Sequence, residues 1–166
     1  MNSKTESSIL ADAFESTRQL TRFYMSKLKG TDMFKEFYID GQKLNSAYWI
    51  IAPLVWEENF LAVKALGGKP IETDWLEKFG FGSTMPPKED VPPIEDVLSI
   101  WKVVHENSMN HLKIISDSEM DKENALGFSF AGSKSYRTVI HHLIRHEAMH
   151  TGHLSWICKL TGVETF

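Results

Sequence analysis

His141-His142-Leu143-Ile144-Arg145-His146-Glu147-Ala148-Met149-His150-Thr151-Gly152-His153 holds five of the chain's seven histidines, and its spacing decides how the remainder is read. His142, His146 and His150 recur every four residues and His153 follows three later, which is the period of one helix face. They fall in line with Val139, Ile157 and Leu160, so the stripe reads as the inward face of a last helix. That helix starts near Ser135 and runs to Leu160, with Gly162 as its stop. Neutral imidazoles on an inward face need partners, and a metal ion or a buried carboxylate supplies them. A polar layer satisfied by Glu147, Thr151 or water does so equally well. The whole stripe cannot serve one ion, because His142 and His150 lie about 12 Å apart along the axis. One pair at four-residue spacing, joined by a group from another helix, is the sensible donor set.

Three further helices can be read upstream. The first covers residues 5–28, with Leu10, Phe14, Thr17, Thr21, Tyr24 and Leu28 on one face, and Lys29-Gly30-Thr31-Asp32 breaks it. The second begins at Asn45 or Ser46, both good caps, and runs to Leu66 before Gly67-Gly68. The third follows Pro92-Pro93, with Glu95 and Asp96 set against the helix dipole. Its stripe is Val97, Trp101, Val104, Ser108, His111 and Ile115. Long connections at 67–91 and 116–134 argue against a simple up-down meander. The expected fold is all-α, a four-helix bundle with two long crossover connections, forming a single domain over 1–166. Only residues 126–130 suggest a short extended piece.

Composition narrows the function classes. Eighteen basic and 22 acidic residues give a net charge of −4 with no Lys/Arg block, so nucleic acid is not an expected partner. Cys158 is the sole cysteine, which excludes an internal disulfide and suits a reducing compartment. The N-terminus lacks an apolar signal-like stretch, and the longest apolar run, 47–56, is too short for a bilayer and contains Pro53. A cytoplasmic protein without membrane association is expected.

His146-Glu147-x-x-His150-x-Gly152, together with Asn45-Ser46-Ala47-Tyr48-Trp49-Ile50-Ile51-Ala52-Pro53-Leu54-Val55-Trp56-Glu57-Glu58, resembles the DinB/YfiT-like superfamily. Helix order and both long connections extend the resemblance over nearly the whole chain. It implies a four-helix bundle, usually a homodimer, with zinc or nickel held by one histidine of the second helix and two of the last. His146 and His150 match the last-helix pair. The resemblance also implies a metal-dependent enzyme acting on a low-molecular-weight thiol, such as a thiol S-transferase, or a hydrolase.

Pro53 stands where the second-helix ligand is expected, and it has no donor side chain. Helical side chains lean toward the N-terminus, so Glu57, one turn later, can reach over that place. His146, His150 and Glu57 are therefore the expected metal ligands, a two-imidazole, one-carboxylate set suited to several metals. His111 is a second candidate for the third ligand.

Two functions stay open. One is a metal-dependent transferase or hydrolase for a small, thiol-bearing substrate, and retention of the His146/His150 pair favours it. The other, favoured by Pro53, is a non-catalytic dimeric bundle whose degenerate metal site binds a small molecule or a protein partner. Of the five tryptophans, Trp56 is the one placed to line a pocket. Cys158 reads as a small core residue, and Gly152 as a point of close helix approach.

Overall fold

The computed structural model describes residues 4–165. Four helices carry it: α1 (Glu6–Lys27), α2 (Ala47–Glu57), α3 (Ile94–Ile114) and α4 (Tyr136–Leu160). Three of them start where a short hydroxyl side chain can satisfy a free backbone donor. Thr5 accepts from Ser8 N, Ser46 from Trp49 N and Ser135 from Thr138 N. α3 instead follows Pro93 and carries Glu95 and Asp96 in its first turn.

The second helix does not continue in α form to Leu66. After Glu57 it passes into a π-helical segment, Glu58–Lys64. Ala65 N donates to Phe60 O and Gly68 N to Val63 O, each five residues back. Gly67, with φ 81°, then turns the chain. Gly68 packs so closely that a Cβ there would lie 2.9 Å from Val63 Cγ1 and 3.0 Å from the His111 ring.

A two-stranded hairpin, β1 (Phe37–Ile39) with β2 (Gln42–Leu44), precedes α2. Its turn is Asp40-Gly41, both at positive φ, a pair suited to tight hairpins. The 126–130 piece contributes only an isolated bridge, Phe130 with Ser133.

α1 packs against α4 and α3, α2 against α3 and α4, and the π-helical segment against α3 and α4. The apolar core falls into two clusters. One gathers Tyr24, Tyr48, Ile51, Val55, Val104 and Leu154; the other gathers Phe14, Leu61, Met109, Leu112, Ile140 and Leu143. Between them, in sequence order along every helix, sits a layer of buried polar residues: Arg18, Thr21, Glu58, His105, Ser108, Glu147 and Thr151. Among the described residues no helix is long and apolar enough to cross a membrane.

Candidate metal centre

The histidine stripe does not face the core. α4 buries Val139, Ile140, Leu143, Glu147, Thr151, Leu154, Ile157 and Cys158. His142, His146 and His150 lie beside that face, half-buried, while His153 and Leu160 are exposed. Sequence order put the stripe in line with Val139 and Ile157, but those two flank the buried face, whose centre is Leu143, Glu147 and Leu154. The histidines therefore look into the groove between α4 and α2.

Glu57 meets them there. It is buried, and its Oε2 pairs with His146 Nδ1 while Oε1 lies 3.7 Å from His142 Nε2. Burial raises the Glu57 carboxyl above its ordinary range, opposed by His146. Glu57 Oε1 is a buried atom without a hydrogen-bond partner, and His146 Nδ1 has only its ion-pair contact with Glu57 Oε2. An unsatisfied buried polar atom of this kind is uncommon in a folded chain. His150 turns its ring edge-on to His146, with centroids 4.5 Å apart, and its Nδ1 is 3.3 Å from His153 Nδ1. Burial, then the neighbouring His146 and His153, lowers the His150 pKa to about 4, so it is a neutral ligand-type imidazole at neutral pH. His142 is lowered in the same direction by burial, His146 and Arg145.

Of the three residues expected from sequence, the structure thus brings Glu57 and His146 together and leaves His150 one turn along, against His153. His142, a member of the stripe but not of the expected ligand set, is the second imidazole beside Glu57. Among the described residues no three His, Cys, Asp or Glu side chains converge as a set that could hold a metal ion. His111 is elsewhere: its Nε2 lies 3.1 Å from Leu66 O, and its ring packs on Gly68. Glu57 and His146 are donor types that suit a divalent ion, with His142 and His150 as the neighbouring imidazoles on the same groove.

Aromatic residues from both long connections close over this end of the groove. Phe130 stacks on His142 at 4.0 Å, and Phe128 packs on Phe130, Phe60 and Phe81. Trp56 stacks on Phe60 at 4.4 Å and donates from Nε1 to Glu77 Oε2 at 3.1 Å. Trp56 therefore belongs to this wall. Gly152 is no point of close approach: it is exposed, with open space where a Cβ would go. Cys158 is buried, its thiol pushed up by that burial and 3.7 Å from Tyr24 O.

Behind the groove lies an ionic network that the sequence reading missed. Arg18 is 1% exposed, and its Nε donates to Glu147 Oε1 at 2.6 Å. Its Nη2 donates at 2.7 Å to both Glu58 Oε2 and Glu147 Oε2. Trp101 Nε1 donates to Glu58 Oε2 at 3.0 Å, and the Ser108 hydroxyl donates to Glu58 Oε1. His105 bridges Glu58 Oε1 at 2.7 Å and Glu15 Oε2 at 2.5 Å. Burial opposes ionisation of Glu58, but the Arg18 charge with His105 and Ser108 outweighs it and holds that carboxyl at about 2. Arg18 itself was legible as an anomaly, a charge four residues after Phe14 and three before Thr21 on the apolar face of α1.

The fold and site define a class: a four-helix bundle with imidazoles and one carboxylate facing each other across the second and last helices. Over residues 13–154 the chain matches the family model of the DinB superfamily, and it belongs to that superfamily. No curated protein matches it.

Proposed function

We propose that the protein is a metal-dependent transferase or hydrolase for a small substrate, with a thiol as the favoured reacting group. Glu57, His146 and His150 would hold the divalent ion, zinc or nickel. The observation that carries this reading is the buried Glu57 carboxylate, paired with His146 and left with an unsatisfied oxygen. When bound, the ion lowers the pKa of a thiol or water in its open position. The chain's own residues do the remainder. Glu57 offers the anionic donor that Pro53 cannot, and Phe130 fixes the His142 ring by stacking on it. The wall of Trp56, Phe60, Phe81 and Phe128 makes that end of the groove apolar.

Superfamily membership also supports a homodimer. Met149, Trp156 and Leu160 are exposed on one face of α4 and form the apolar strip that a second copy would cover. Pro53 favours a second reading, a non-catalytic dimer that has lost its metal and keeps the groove for a small molecule or partner.

Metal analysis of untagged protein separates the two. One equivalent of zinc or nickel, lost in Glu57→Ala/His146→Ala with unchanged circular dichroism, supports the enzyme. No retained metal after incubation with either ion overturns it in favour of the second reading.

A further inference from the structure

On the opposite side of the bundle from the histidines, Arg18 of the polar layer lies beneath a second concavity. There α1 and α3 diverge around a cleft of about 870 Å³, within the range of small-molecule sites. Its walls are apolar: Met25, Leu28 and Met33 on one side, Ile94, Leu98 and Trp101 on the other. Its floor is the Arg18 guanidinium, stacked 4.1 Å from the Trp101 ring centroid. Its mouth carries Arg22, Lys29 and Lys102 against one acid, Glu95.

We propose that this cleft is a binding site for an amphipathic anion: one apolar chain inside, with a carboxylate or phosphate head at the mouth. The placement of the head follows from charge. Arg18 is already held by two carboxylates, Glu58 and Glu147, so the floor has no cationic charge to spare. The mouth has an excess of cations. Arg22 is shared with Glu15 at 3.2 Å, and Lys29 and Lys102 have no ion-pair partner among the described residues. A head group there stays partly hydrated, while the chain covers Leu98, which is 37% exposed, and the methionine and leucine side chains below it. Two copies of the protein do not fit as well. A twofold interface sets a patch against itself and would oppose Lys29, Lys102 and Arg22 with their own counterparts.

Isothermal titration of the full-length protein with laurate and dodecyl phosphate, kept below their micelle concentrations, tests this. Dodecanol and dodecyltrimethylammonium serve as neutral and cationic controls. One equivalent of either anion is expected to bind, at least tenfold tighter than dodecanol, with the cation weaker still. Lys29→Glu/Lys102→Glu, both exposed, should weaken laurate at least tenfold and leave dodecanol unchanged. Leu98→Gln should weaken all ligands that bind. Absence of saturable anion binding, equal binding of the cation, or unchanged affinity in the double variant overturns the proposal. So does sedimentation showing a dimer that Leu98→Gln dissociates, because the cleft is then covered by a second copy.

Discussion

Removing Arg18 as Arg18→Met should be the most costly single change in the bundle that leaves both apolar clusters intact. The methionine keeps most of the stem volume but takes away the cation that Glu58 and Glu147 share. Both carboxylates are within 1% of fully buried. Breaking a buried ion pair from one side costs about 3–5 kcal/mol, because the surviving charge is left uncompensated. Against a total stability of about 5–15 kcal/mol, that is a large fraction. With a urea m-value near ~2 kcal/mol/M, the midpoint should fall by about 2 M. Neutralising the stranded acids in Arg18→Met/Glu58→Gln/Glu147→Gln should return at least half of the loss. The pH dependence has a definite sign. In the native protein Glu58 has a folded pKa of about 2 against an ordinary 4.5. Its stabilisation, about 3 kcal/mol, is therefore present above pH 4.5 and lost as the pH falls toward 2. Without Arg18 the same buried carboxyl prefers its proton, so acid relieves the variant. The difference between native and Arg18→Met should shrink from pH 7 to pH 3. A single-variant cost below about 1 kcal/mol, a triple variant no more stable than the single, or a pH-independent difference would refute the argument.

Three other outcomes are expected. Pro53→His supplies an imidazole on α2 one turn before Glu57, and zinc affinity measured by competition with a chromophoric chelator should rise at least tenfold; no change would remove position 53 from the groove. In metal-free protein, His150 should titrate by NMR at about 4, held down first by burial and then by His146 and His153. Because the folded value lies below the ordinary 6.5, its contribution to stability is intact above that pH and declines as the pH falls toward 4; a measured value above 6 would contradict its burial. Trp156→Glu, at a side chain 60% exposed, should convert the proposed dimer to monomer in sedimentation while shifting Tm by only a few degrees; an unchanged mass would place any dimer contact elsewhere.

The helices were legible because their signals are local. Thr5, Ser46 and Ser135 are caps in the structure as their chemistry implies, and Pro92-Pro93 precedes α3. Glu57 was placed at the groove by the tilt of helical side chains, and it is there, paired with His146. The hairpin was missed although Asp40-Gly41 announced it. Other features have no local signature. A π-helical segment beginning at Glu58 depends on tertiary packing, since the residues Glu58–Lys64 are ordinary helix formers by composition. The face of α4 was set one notch away from the histidines because a buried Glu147 counts as core only once Arg18, 129 positions earlier, is seen beside it. His105 escaped notice for the same reason: its partners Glu15 and Glu58 come from two other helices.

Two adjacent pairs in the sequence explain how groove and core are joined. Successive helical residues point about 100° apart, so Glu57 and Glu58 face different neighbours, as do His146 and Glu147. Glu57 and His146 turn to the groove and meet each other; Glu58 and Glu147 turn to the bundle axis and meet Arg18. The ligand-type residues are thus one peptide bond removed from carboxylates that a single guanidinium clamps together. The second helix, with its π-helical continuation, and α4 cannot slide past one another without stretching charge-assisted bonds of 2.6–2.7 Å between side chains only 1% exposed. An apolar layer at Glu58 and Glu147 would hold the helices as firmly on average but tolerate several registers. Directional bonds to one guanidinium admit a single register, and it is the register that sets Glu57 against His146. The polar layer accordingly does more for the geometry of the groove than for the stability of the bundle, which the two apolar clusters on either side of it supply.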